Sequence, residues 1–141
     1  MRAATARRLS TFHTRLYRMT GGLVGRRFVH NDMLLLTTTG RRTGRSHTVP
    51  LLYLRDRDRL VVFASWGGRN FHPEWYLNLV DNPEATVQVE SDRWPVRGRT
   101  VEEPDRTQWW ERAVDAYGGY AEYQAKTDRR IPVVFLEGRG R

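Results

Sequence analysis

Along the chain the spacing of apolar positions changes several times, and each change marks a predicted element. In residues 4–29, Leu9, Phe12, Leu16, Tyr17 and Met19 fall at near-helical spacing with Arg7, Arg8, Arg15 and Arg18 between them. This predicts a basic amphipathic helix that Gly21-Gly22 would stop. Residues 33–39 read as a strand ending in a threonine run. Residues 47–54 read as another, and Pro50 suits an edge or a strand start because proline has no N–H to give to a ladder. A charged turn at 55–59 precedes the buried-type run Leu60-Val61-Val62-Phe63-Ala64. A helix over 73–80 follows, with Pro73 in its first turn and Asp81-Asn82-Pro83 ending it.

Residues 85–90 and 93–101 alternate as a strand pair joined at Ser91-Asp92. Glu102-Glu103-Pro104-Asp105 opens a helix to about Ala116 that buries Trp109 or Trp110 and Val114. Gly118-Gly119 break it, a short helix spans 120–127, and 131–136 form a last core strand. About six strands with helices at the ends give an α+β domain built on a small barrel over residues 33–141, preceded by the basic lead-in of residues 1–32.

Composition narrows the function classes. A chain of 141 residues is the size of one domain, and without cysteine it has neither a disulfide framework nor a thiolate metal site, which fits a reducing cytoplasm. No apolar run approaches a membrane span, and the N-terminus lacks the apolar core of a secretory signal. The basic lead-in reads first as a helix whose apolar stripe covers the end of a barrel and second as one lying on an anionic membrane surface. The net charge of +8 is uneven: residues 1–69 carry +11 and residues 70–141 carry −3. A uniformly basic nucleic-acid binder would not divide in this way, and no nucleic-acid partner is expected.

Two stretches carry the candidate chemistry. Thr39-Gly40-Arg41-Arg42-Thr43-Gly44-Arg45 and Ser65-Trp66-Gly67-Gly68-Arg69 each follow a strand and mix glycine with arginine. Glycine lets backbone N–H groups approach an anion, and arginine offers a fixed fork of donors to phosphate or carboxylate. The helix start near His72 would add partial positive charge. Together they suggest a groove for an acidic, phosphate-bearing ligand. Tyr117, Tyr120 and Tyr123 are spaced by three, and phenols of that kind either donate to a developing anion or serve as core aromatics. Ser65 at the end of a buried strand is open to the same two readings. The motif of a serine nucleophile, a cysteine and a Walker loop are all missing, and His13, His30, His47 and His72 form no metal-spaced pair.

In combination these segments resemble the deazaflavin-dependent nitroreductase family. The resemblance runs through Leu34-Leu35-Leu36-Thr37-Thr38-Thr39-Gly40-Arg41-Arg42-Thr43-Gly44, Pro50-Leu51-Leu52-Tyr53, Ala64-Ser65 with Gly67-Gly68, Trp75-Tyr76-Leu77-Asn78-Leu79 and Asn82-Pro83. It continues through Tyr117, Tyr120 and Tyr123-Gln124 to Thr127-Asp128-Arg129 and Ile131-Pro132. It implies a split β-barrel related to flavin-binding barrels. It also implies coenzyme F420, an 8-hydroxy-5-deazaflavin with a phosphodiester and glutamates in its tail.

By position, Arg41, Arg42, Thr43 and Gly44 would contact the phosphate and tail. His47, Pro50, Ser65, Trp66, Gly67, Gly68, His72 and Trp75 would complete the cofactor site, and Ser65 with Tyr117, Tyr120 and Tyr123 would surround the substrate. The implied acceptors are quinones, nitroaromatics and other conjugated electrophiles such as enones. The chain departs from the family at Trp66, where lysine or asparagine is common, at Leu52, where some members have tyrosine, and at His47, where arginine is common. Two other readings stand beside reduction. One is a non-catalytic binder of a flavin-like, haem-derived or other acidic ligand; the other is a nucleic-acid or membrane-surface module resting on charge alone.

Overall fold

The computed structural model describes residues 33–138 of the protein. The predicted amphipathic helix and lead-in therefore lie outside the described residues. The strands are β1 (Met33–Thr39), β2 (Ser46–Leu52), β3 (Leu54–Asp56), β4 (Arg59–Phe63), β5 (Glu84–Val89), β6 (Asp92–Thr100) and β7 (Val133–Glu137). Three α-helices join them: α1 (Glu74–Asp81), α2 (Asp105–Ala116) and α3 (Gly119–Ala125).

All seven strands form one antiparallel sheet in the order β2-β1-β5-β6-β7-β4-β3. β2 and β3 are thus its two edges, yet Tyr53 alone separates them in the chain. Consecutive Cα atoms are about 3.8 Å apart, so the edges must meet and the sheet must curl. β2 accordingly also touches β4 across the seam.

Curling gives the sheet an inside and an outside, and strand alternation divides the apolar residues between them. The enclosed core holds Leu34 and Leu36 of β1, Leu60 and Val62 of β4, Val87 of β5, and Val134 and Leu136 of β7. Trp75 and Leu79 of α1 enter the same core. The opposite faces of β4 and β7 present Val61, Phe63, Val133 and Phe135, which Trp109, Ala113, Tyr117 and Tyr120 cover. Two-sided burial explains why these two strands are continuous apolar runs, whereas β6 alternates strictly between buried and exposed positions.

Among the described residues the expected elements are present with shifted ends, the short helix spanning Gly119–Ala125 rather than 120–127 and the last strand starting at Val133 rather than Ile131. The strand expected over 47–54 is broken at Tyr53 into β2 and β3, which makes seven strands rather than about six. The turn between β5 and β6 falls at Glu90-Ser91, one residue earlier than expected, with Glu90 at φ +55°. Pro50 sits within β2, an edge strand, opposite Leu35.

Because Leu36 is fully enclosed, Leu36→Ala is expected to cost about 2–5 kcal/mol of unfolding free energy. Arg93→Ala, on the exposed face of β6, is expected to cost less than about 0.5 kcal/mol. Urea denaturation of the two variants checks the assignment of faces.

Candidate functional site

The hairpin between β1 and β2 is closed by its own backbone. The Gly40 N–H donates to the Arg45 carbonyl at 2.7 Å, and the Gly44 N–H donates to the Gly40 carbonyl at 2.8 Å. Gly44 lies at φ +77°, which only glycine adopts without cost. α1 fixes the hairpin from the side. Asn78 Oδ1 accepts from the Arg41 N–H at 3.1 Å and from Arg41 Nη1 at 2.8 Å, while Glu74 Oε1 accepts from the same Nη1 at 2.8 Å. Glu74 and Asn78 are four residues apart and share a helix face. Arg42 and Arg45 are exposed and make no ion pair among the described residues.

Between this hairpin and α1 runs a groove of about 520 Å³. Its lining combines the arginines Arg41, Arg42 and Arg45 and His47 with the apolar side chains of Val49, Pro50, Trp66, Pro73 and Trp75. A volume of this order accommodates a small molecule or part of a larger one.

The second glycine segment borders the groove through Trp66. Trp66, Gly67 and Gly68 have φ of +50°, +63° and +81°, a run of left-handed backbone rare outside glycine. A short 3₁₀ turn results, with the Gly68 N–H donating to the Ser65 carbonyl at 2.9 Å and the Arg69 N–H to the Trp66 carbonyl at 3.2 Å. α3 packs directly on this turn: a Cβ on Gly68 would lie 2.6 Å from the Tyr123 carbonyl oxygen.

A single guanidinium ties the segment to the C-terminal part of the domain. Arg129 donates through Nη2 to the Ser65 carbonyl at 2.6 Å, through Nη1 to the Ala64 carbonyl at 3.0 Å and through Nε to the Arg69 carbonyl at 2.7 Å. Nη1 also donates to His72 Nδ1 at 3.0 Å. Arginine has only donors, so His72 must accept at Nδ1 and carry its proton on Nε2. Burial, with the Arg129 charge adding to it, holds the His72 imidazole below the ordinary histidine value.

The structure brings Arg41, Arg42, Thr43, His47, Pro50, Trp66 and Trp75 together as walls of one groove. Gly44 belongs to the same hairpin, while Ser65, Gly67, Gly68 and His72 lie in the neighbouring segment without lining the groove. Tyr117 and Tyr120 are buried in the outer apolar cluster, and the Tyr117 hydroxyl donates to the Tyr53 carbonyl at 3.4 Å. Burial, and then the Tyr123 charge, pushes the Tyr120 phenol above its ordinary range, so it remains protonated. Tyr123 is half-buried, its ring meeting Tyr120 edge-on at 6.1 Å. Glu74, Asn78 and Arg45 also line the groove; Arg45 and Asn78 fall within the singled-out segments without a role of their own, and Glu74 lies outside them. The i, i+4 spacing of Glu74 and Asn78 was the local signal for their shared face, and the contacts of Arg129, a residue of the Thr127-Asp128-Arg129 segment, had none, since its partners lie 57 to 65 residues away.

The curled antiparallel sheet and its half-cationic groove define a barrel protein suited to an anionic ligand with an apolar portion. A family model described as F420H(2)-dependent quinone reductase matches residues 9–138. The F420H(2)-dependent quinone reductase Rv1261c of Mycobacterium tuberculosis is 37% identical over 135 residues, covering 93% of this chain and 91% of the relative. A solved F420-H2 dependent reductase, FDR-A, superposes with a TM-score of 0.70 at 42% identity over 76% of this chain and 95% of its own. A FAD-binding protein from Mesorhizobium loti superposes with a TM-score of 0.57 at 14% identity over 77% of this chain and 82% of its own, a likeness of fold alone. The chain belongs to the F420H(2)-dependent quinone reductase family, and it is an oxidoreductase whose cofactor is coenzyme F420.

Two measurements test this local geometry. Gly68→Ala combines a left-handed φ with a clash against the α3 backbone, and is expected to cost about 2–4 kcal/mol in urea denaturation. The fold keeps His72 neutral, so its contribution is fully present above the ordinary value of 6.5. That contribution is lost as falling pH drives protonation through the lowered folded value. Stability should therefore decline below about pH 6.5, and His72→Gln should flatten that part of the profile.

Proposed function

We propose that the groove between the 40–45 hairpin and α1 holds coenzyme F420 and that the chain uses it to reduce a quinone. The observation that carries this reading is one groove lined both by apolar side chains and by Arg42 and Arg45, which make no ion pair among the described residues. Arg42 and Arg45 would bind the phosphodiester and carboxylates of the tail, while Trp66, Pro50 and Trp75 would pack against the apolar parts of the ligand. The donor set thus fits a molecule that is polyanionic at one end and aromatic at the other. When bound in its reduced form, the coenzyme supplies a hydride rather than single electrons.

The chain's own groups then have separate tasks. The Arg129 fork holds the carbonyls of Ala64, Ser65 and Arg69 and so fixes the Ser65 backbone. The Ser65 hydroxyl would donate a hydrogen bond to the oxygen on which negative charge develops. Of the three tyrosines, Tyr123 is the less buried and its backbone abuts the Trp66–Gly68 turn. Tyr123 would therefore supply a proton, or a hydrogen bond, to the reduced acceptor, with Tyr117 and Tyr120 packing the helix that carries it. The apolar lining suits planar acceptors, so nitroaromatics and enones would compete with quinones. Among the described residues no helix is long and apolar enough to cross a membrane. A quinone dissolved in lipid would give the basic residues 1–32 a use at an anionic surface.

The test is a fluorescence titration of the protein with F420, followed by oxidation of F420H2 with menadione monitored by deazaflavin absorbance. Saturable binding with turnover is expected; tight binding without turnover would indicate a carrier, and no binding would remove the reading. Arg42→Ala should weaken F420 binding about tenfold at low salt and less at high salt. Tyr123→Phe should lower kcat more than it alters coenzyme affinity.

A further inference from the structure

Glu74 is the one carboxylate among the groove-lining residues, and it stands amid Arg41, Arg42, Arg45 and His47. Its side chain is 72% exposed and bonded to Arg41 Nη1 at 2.8 Å. The same Nη1 is also taken by Asn78 Oδ1 at 2.8 Å. The carboxyl is held below its ordinary range by the hydrogen bond and charge of Arg41, with Arg42 and His47 adding to it. The groove's cationic field therefore converges on a carboxylate of the protein's own. Glu74 is also the first residue of α1, where backbone N–H groups favour negative charge.

Arg41 and Asn78 would suffice to anchor the hairpin, because Asn78 already accepts from both the Arg41 backbone and its guanidinium. A second acceptor that carries full charge adds little to that anchor. It does place a negative charge where an anionic ligand group would otherwise be drawn.

Resting on the coenzyme reading above, we propose that Glu74 is a specificity-determining residue. In the free protein it occupies the anionic position beside Arg41 and so lowers the groove's affinity for highly charged tails. A ligand's phosphate or carboxylate must either displace the Glu74 carboxylate from Arg41 or bind beside it against its repulsion. The cost rises with the number of negative charges on the tail and is absent for a ligand without one. Glu74 thereby tunes which tail lengths the groove retains.

Glu74→Gln separates charge from geometry, since the amide oxygen can still accept from Arg41 Nη1. The experiment is a fluorescence titration of the full chain and of Glu74→Gln with F420 and with its tail-free deazaflavin chromophore, each at low and high salt. The variant is expected to bind F420 about threefold more tightly at low salt, with the gain shrinking as salt rises. Its affinity for the tail-free chromophore should be unchanged. An unchanged or weakened affinity of Glu74→Gln for F420, or an equal change for both ligands, would overturn the role of Glu74 while leaving the coenzyme site intact. If the wild-type chain binds neither ligand, the coenzyme reading fails and this inference with it.

Discussion

The structure depends on a covalent constraint: one residue, Tyr53, carries the chain from one edge of the sheet to the other. With no room for a longer crossing, the sheet must close on itself, and closure decides what every alternate residue faces. β1 directs Leu34 and Leu36 inward, and β4 and β7 divide their side chains between the enclosed core and the helices outside. Tyr53 is itself buried, and its carbonyl accepts from the Tyr117 hydroxyl, so the seam is linked to the end of α2. The α2–α3 layer is therefore held to the same seam that closes the sheet.

Closure also sets the two arms of the groove. The 40–45 hairpin extends beyond β1 and β2, and α1 follows β4 through the Trp66–Gly68 turn, so the arms come from well-separated parts of the chain. Trp75 and Leu79 pack α1 into the core beside Leu34 and Leu36 of β1, and polar contacts fix the hairpin and the 64–72 segment on top of that packing. Arg41 is bonded to Glu74 and Asn78, and Arg129 to Ala64, Ser65, Arg69 and His72. The two arginines differ in surroundings. Arg41 faces a carboxylate, whereas Arg129 is held by neutral carbonyls and an imidazole, and burial lowers its pKa. Arg129 thus orders a loop without cancelling its own charge, which leaves positive potential near Ser65.

Much of this was legible in the residues because the local signals agreed with the global fold. The alternation in β6, the proline at the start of α1 and the glycine–arginine hairpin all carry their structural meaning in a few positions. The break at Tyr53 carried none: Leu51-Leu52-Tyr53-Leu54 has no glycine, proline or charge, and the break arises from the demand for closure. The tyrosine row was ambiguous for a physical reason. A spacing of three places side chains on one helix face but does not say whether that face meets a ligand or Phe63 and Trp110, as it does for Tyr120. The role of Arg129 was illegible because carbonyl acceptors are present at every position and leave no trace in composition.

Charge pairing elsewhere on the domain sharpens the contrast with the groove. At the far end of β4 and β7, Arg59 bonds Asp56 and Glu137, and Arg99 bonds Glu137 again, with both guanidiniums over the Phe135 ring. Arg97 pairs with Glu84, and Arg130 with Glu103. These acids are matched by neighbouring guanidiniums, so the opposite charges largely cancel at a distance. On the hairpin the balance is different: Arg41, Arg42 and Arg45 face a single carboxylate, on Glu74. The excess of positive charge at that site is therefore a property of the folded arrangement rather than of the overall charge. A net charge of +8 spread at random would steer anions nowhere in particular, whereas an unmatched cluster beside low-dielectric walls focuses them.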